Sequence, residues 1–396
     1  MEASIAVQRW AQTHAPTYSG IRREIHRQPE MGFEEYLTSD LVAERLLRWG
    51  YEVERGIGGT GLVGQLRRGD DPRRLGIRAE MDALALTELA ERPHKSTRPG
   101  VMHACGHDGH TTMLLFAAEY LAKHARFDGT LNLIFQPAEE GLNGASRMMA
   151  DGLFERYPCD AVFAMHNMPG LPAGQLVFRE GAQMASGDTV HITLQGRGGH
   201  GAMPQLAADP TVAAASLVMA LQTVVARNVD PLQAAVISVG VLRSGSASNV
   251  IPDSAELQLT VRTLDRQTRD TVERRIHELA RAQAESFGLT AEVDYRRGYP
   301  VLVNTPAETR FAHGVARKLF SDPERVRMGP PIMASEDFAF MLERVPGCYL
   351  FIGNGTDSEG GCSVHNPHYD FNDTLLPVGA AYWVGLVERY LDVSPA

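Results

Sequence analysis

Between Thr38 and Asn167 the chain alternates helix-like and strand-like stretches, and this rhythm narrows the possible folds more than any other feature. "TSDLVAERLLRWG" opens with capping residues, spaces its apolar positions at helical intervals and stops at Gly50. Apolar runs follow at "GTGLVGQL" and "RRLGIRAEM", then helix-like "TTMLLFAAEYLAKHA". Strand-like "GTLNLIFQPAEEG" and "CDAVFAMHN" come next. Such alternation predicts a largely parallel sheet covered by helices.

From about Ser186 to Arg297 the pattern changes. "DTVHITLQG" and "SAELQLTVRTLD" alternate apolar and polar residues, as strands with one wet face do. Helical stretches "DPTVAAASLVMALQTVVARN" and "RQTRDTVERRIHELARAQAESFG" lie between and after them. The first style returns at "GYPVLVN" and near "SEDFAFMLERVPGCYLFIG". The expected architecture is an α/β fold with a mainly parallel sheet and helices on both faces, in segments 1–185 and 298–396. A smaller α+β domain, 186–297, interrupts it. A chain of 396 residues is long for one core, which agrees with two domains.

Composition excludes several classes of function. A formal net charge of −10 lacks the basic footprint of a nucleic-acid binder. The N-terminal "MEASIAVQRWAQTHAP" has neither a basic region nor an apolar run of signal-peptide length, and no uninterrupted apolar run suggests a membrane span. Four scattered cysteines are too few for a disulfide framework, so a reducing cytoplasm is expected.

The chemistry is concentrated in "MHACGHDGH", residues 102–110. In an extended segment His103, Cys105 and His107 would share one face, with His110 just ahead of a helix. Thiolate and imidazole together suit zinc or another first-row divalent ion. "QPAEEG" puts Glu139 and Glu140 just past a strand end, where ligands of open α/β sheets gather. One carboxylate there can bind a metal while its neighbour takes a proton from water. His166, at the end of another apolar run, and His365, in the loop "VHNPHYDF", add two more metal-type side chains. Each alone reads as a structural histidine or solvated turn; their convergence points to a metal site. A second reading makes Cys105 a nucleophile with His107 or His110 as base, which leaves the remaining residues without a role.

With these motifs assembled, the chain resembles the M20 metallopeptidases. Within them it is most similar to the N-acyl-amino-acid amidohydrolase branch of hippurate hydrolases and auxin-conjugate hydrolases. The resemblance runs from "REIHRQPEMGFEE" to "VHNPHYDFND" through "GIRAEMDALAL", "QPAEEG", "MHNMPG", "GRGGHGAMPQ", "SNVIPD", "TVRTLD" and "SEDFAFM". It implies two divalent metals, zinc or manganese with cobalt or nickel as alternatives, held by Cys105, His107, Glu140, His166 and His365. It also implies Glu139 as general base and Asp82 as the residue orienting a ligand. Glu80 stands where other members carry a metal-binding histidine and is not counted as a ligand.

The resemblance further makes the inserted domain a lid and dimer contact. His200 would stabilise the oxyanion, and Asn249 and Arg262 would hold the substrate. The implied substrate is a small N-acyl amino acid, cleaved at its amide bond. A dipeptidase or aminoacylase of different acyl preference is the alternative. The expected assembly is a homodimer or homotetramer, with no nucleic-acid or membrane partner.

Overall fold

The computed structural model describes residues 2–320, 322–357 and 360–393. The chain divides into two compact units. The first comprises Met1–Gly181, Asn304–Pro330 and Phe340–Ala396. Its eight-stranded sheet has the order Glu52–Ile57, Gly61–Arg68, Gly129–Gln136, Arg74–Glu80, Ala161–Pro169, Gly347–Gly355, Leu176–Phe178, Val326–Met328. The four strands from Gly129–Gln136 to Gly347–Gly355 run parallel. The sheet is therefore mainly parallel, as the alternating pattern predicts.

Gly347–Gly355 is buried at every position, as a parallel strand covered on both faces must be. Two glycines of one strand show that helices flank both sides. A side chain at Gly64 would meet Leu46 of the helix Tyr36–Arg48, while one at Gly61 would meet Met148 of the helix Gly144–Ala150. Residues three apart on a strand face opposite ways. The helices His107–Lys123, Leu376–Tyr390 and Glu2–Arg27 pack together around Met113, Phe116, Tyr382 and Trp383.

The second unit comprises Ala182–Val303 and Pro331–Ala339. Against an expected insert of 186–297 it starts a little earlier, ends a little later and recruits a distant segment. Backbone pairing explains the recruitment: Ile332 N–H donates to Gln183 O (2.9 Å) and Ala185 N–H to Ala334 O (2.8 Å). Its four-stranded antiparallel sheet has the order Ala235–Ser244, Ser254–Thr263, Asp188–Gln195, Thr290–Arg297. Burial alternates along the middle strands. The covered face packs on the helices Pro210–Arg227 and Arg266–Ser286, which Asp209 and Asp265 cap by accepting from Thr211 N–H and Thr268 N–H.

Pro210–Arg227 is apolar for most of its length, though polar residues interrupt it. Among the described residues it is the one helix long and apolar enough to cross a membrane, with a mean hydropathy of 1.3. It buries Ala213, Leu217, Leu221 and Val224 in the core of the second unit.

Candidate metal centre

The centre lies in the first unit, where the parallel strands end. Arg74–Glu80 delivers Glu80 and, two residues on, Asp82; Gly129–Gln136 delivers Glu139 and Glu140; Ala161–Pro169 carries His166 within the strand itself. Register places Glu80 opposite Gln136 and His166 opposite Phe351.

The segment 102–110 is not one extended face. Gly106, with φ of 98°, turns the chain into the helix that starts at His107. A side chain at Gly106 would collide with Asn167 Oδ1 and the Tyr369 hydroxyl, so the tight turn requires glycine. Cys105 and His107 therefore meet across a turn. His103 is buried elsewhere, with both ring nitrogens unpartnered among the described residues. Burial pushes its imidazole down to about 4, so it stays neutral.

Around Cys105 the expected ligands converge. Candidate ligand atoms of Cys105, His107 and His166 lie within 4.8 Å of one another, as do those of Cys105, Glu140 and His365, and those of His107, Glu139 and Glu140. Cys105 Sγ is 3.3 Å from His166 Nε2, and His365 Nε2 is 3.2 Å from Glu140 Oε1. His365 takes a left-handed backbone (φ 62°), fixed by its N–H donating to Ala104 O (2.7 Å). Ala138, just ahead of Glu139, is also left-handed (φ 54°). Such backbone costs free energy at a residue with a side chain and clusters at functional sites.

Asp82 bonds to two members of the cluster. His107 Nδ1 donates to Asp82 Oδ1 (3.1 Å) and to Asp82 O (3.0 Å), and Glu140 N–H donates to Asp82 Oδ2 (2.9 Å). This leaves His107 Nε2 buried and unpartnered among the described residues, on the side a metal would occupy. His166 is fixed likewise, its Nδ1 donating to Asn167 O (2.6 Å).

Glu80, His107 and His110 also come together. There the Glu80 carboxylate accepts from Arg78 and from His110 Nδ1 (3.0 Å). Burial opposes its ionisation, yet the Arg78 guanidinium and the imidazoles hold it well below the usual range. Glu80 is thus already neutralised by protein groups.

The electrostatics suit a metal. Burial, then the Glu140 and Glu139 carboxylates, push the Cys105 thiol well up. A divalent cation reverses that by stabilising the thiolate. Burial opposes protonation of His107, but Asp82 beside it raises the imidazole to about 10. Burial, with His110 nearby, holds His166 neutral. Four of the five expected donors are imidazole or thiol, so the residues present fit a first-row divalent ion.

The sequence reading missed several supporting groups. Glu35 accepts from Ala138 N–H (2.8 Å) and from the Thr60 hydroxyl, pinning the turn before Glu139. Arg78, Asn167 and Tyr369 form the layer behind Glu80 and His110. The one local signal was an arginine inside a hydrophobic strand, since a buried cation needs a partner.

His200, Asn249 and Arg262 belong to the second unit. His200 pairs with Val250 in a two-residue ladder, and Gly201 N–H donates to Asn249 O (2.8 Å), so His200 and Asn249 are neighbours. Both are exposed. Arg262, on the strand Ser254–Thr263, is partly buried and gives its Nη1 to Val261 O (3.1 Å). Burial lowers its guanidinium from the ordinary value.

The sequence profile of peptidase family M20/M25/M40 matches residues 76–389. The chain belongs to peptidase family M20. It is 45% identical to the hippurate hydrolase of Campylobacter jejuni over 94% of its own length and 96% of that protein's. To the IAA-amino acid hydrolase ILR1-like 4 of Arabidopsis thaliana it is 39% identical, over 94% and 85% of the two chains. Among solved structures, a dinuclear metal-binding M20 peptidase of Bacillus subtilis matches with a TM-score of 0.83 at 29% identity, covering 96% of this chain and 99% of that one. An M20 fold with overlapping ligand groups around Cys105 accounts for a centre of two divalent metals.

Proposed function

We propose that the chain is a metal-dependent amidohydrolase that cleaves the amide bond of N-acyl-L-amino acids. The observation that carries this reading is the junction of three ligand groups at Cys105, His107 and Glu140 with the buried carboxylate of Glu139 among them. The likeness to a hippurate hydrolase over nearly the whole chain supports it.

Cys105, His107, Glu140, His166 and His365 would hold two divalent ions, zinc or manganese first, with cobalt or nickel as alternatives. When bound, these ions polarise the amide carbonyl and lower the pKa of water. Glu139 takes the proton of the attacking water and hands it to the departing amine nitrogen. Asp82 keeps His107 and the Glu140 backbone in place. His200 donates to the carbonyl oxygen as negative charge develops on it, a donor role worth most in the transition state. Arg262, with Asn249, holds the substrate's free carboxylate, for which a guanidinium offers paired donors. The smaller unit would act as lid and dimer contact, in a homodimer or homotetramer of the cytoplasm.

The test is amino-acid release from N-acetyl, N-benzoyl and longer N-acyl amino acids, with dipeptides as the alternative substrates. Activity should vanish on chelation and return with manganese or zinc. Glu139→Gln should lower kcat by about 10²–10⁴-fold with both metals retained. Release that survives thorough metal removal would instead make Cys105 the nucleophile.

A further inference from the structure

An open cavity, of about 530 Å³, lies in the first unit along the last turns of the helix Glu2–Arg27. Gly20, Arg23, Glu24 and Arg27 line it from one helical face, spaced as residues three and four apart must be to share a side. The segment carrying His94 and Thr97 closes the opposite wall. None of these residues belongs to the metal centre.

Its lining carries charge of both signs on exposed residues, with Arg23, Glu24 and Arg27 all open to solvent. The exposed Glu24 carboxylate and Arg27 guanidinium make no hydrogen bond or ion pair with protein groups among the described residues, which leaves both free to meet a ligand. Arg23 gives only its Nε to Asp373 Oδ2 (2.9 Å). His94 is nine-tenths buried, with Nε2 2.9 Å from Asp370 Oδ2 and Nδ1 unpartnered among the described residues. Thr97 donates from both N–H (2.9 Å) and hydroxyl (2.7 Å) to Arg27 O, neutralising a carbonyl at the negative end of the helix. Gly20 is exposed, and a side chain there would meet nothing within 4 Å.

A plain anion would face the Glu24 carboxylate, and a plain cation would face two guanidiniums. A zwitterion satisfies both. We propose that this cavity is a binding site for a free α-amino acid, its carboxylate on Arg27 and Arg23 and its ammonium on Glu24. The volume lies within the range of small-molecule sites. Amino acids are also what the proposed hydrolysis releases, so the choice of ligand, though not the cavity's chemistry, rests on that reading.

Equilibrium dialysis of radiolabelled L-leucine against the metal-loaded protein tests this. Wild type should bind one more leucine per chain than Glu24→Gln/Arg27→Gln, whose remaining affinity at the cavity should be weaker by about tenfold or more. Gly20→Phe, which suits a helix and fills the cavity, should abolish the same equivalent. Both variants should hydrolyse N-acyl amino acids within about twofold of wild type, since their changes lie off the metal centre. 4-Methylpentanoate and isoamylamine, each lacking one charged group, should compete at least about tenfold worse than leucine. Unchanged stoichiometry in both variants overturns the proposal. So does equal displacement by inorganic phosphate, which would make the cavity a simple anion site. A protein that hydrolyses none of the panel but loses a leucine in these variants would refute the proposed function and leave the cavity assignment standing.

Discussion

Replacing Asp82 by Asn tests whether the metal centre is built from behind. The carboxylate accepts from His107 Nδ1 and from Glu140 N–H, one oxygen each. Asn keeps the shape but offers one acceptor oxygen and turns an NH2 toward the second donor. A buried donor left facing another donor costs about 1–3 kcal/mol. The His107 ring keeps Asp82 O at 3.0 Å as an alternative acceptor, which moves the expectation to the low end. At about 1.4 kcal/mol per factor of ten, metal affinity should fall about tenfold, and not beyond about 100-fold.

The same substitution predicts a pH signature. In the metal-free protein Asp82 holds His107 up at about 10, so at neutral pH a metal must displace a proton from that ring. Affinity therefore rises with pH through His107 in the wild type. Without the carboxylate His107 loses its proton at lower pH, and that contribution to the slope shrinks. The Asp82→Asn deficit should thus be smaller at pH 6 than at pH 9. Competition with a chromophoric chelator at both values measures it. Affinities within about twofold of wild type at both pH values, in a variant that folds, would refute an orienting role for Asp82.

His26 is raised to about 9: burial opposes its protonation, but Asp108 at 2.8 Å and Glu88 favour it more. A raised folded pKa gives stability that is complete below about 6.5 and lost as pH climbs through about 9, of order 3 kcal/mol. Urea unfolding of metal-loaded protein should show this decline in the wild type and a flatter profile in His26→Gln. Gly106→Ala forces a side chain onto Asn167 and Tyr369 at a φ of 98°, so both melting temperature and bound metal should fall, the former by several degrees. Cys105, whose thiol is held up by burial and two carboxylates, should resist alkylation near neutral pH without metal and remain shielded with it. Rapid labelling of the metal-free protein at pH 7 would contradict that environment.

What was legible in the sequence follows from how far each residue's environment depends on distant chain. Strand ends are local, so Glu139 and Glu140 could be placed from an apolar run and the turn residues after it, whereas His166, expected at a strand end, lies inside a strand that runs on to Pro169. The arrangement of 102–110 was harder, because an extended reading and a glycine turn put different histidines beside Cys105. The left-handed Gly106 settles it for His107 and leaves His103 out. The hint was a glycine directly before "HDGH", a helix start with its hinge attached. Glu35 meets Ala138 across 103 positions and Asp82 meets His107 across 25. Nothing near Glu35 distinguishes it from the exposed Glu34, since burial of a carboxylate becomes visible only when the partner strand arrives. His365 is the extreme case: its left-handed backbone is imposed by Ala104 O, 261 residues earlier. Side chains that bind a metal announce themselves by element type, while those that aim them are chosen by packing. A centre of this kind is therefore half readable from the chain alone, and its orienting half is where substitution should alter metal affinity without removing a ligand.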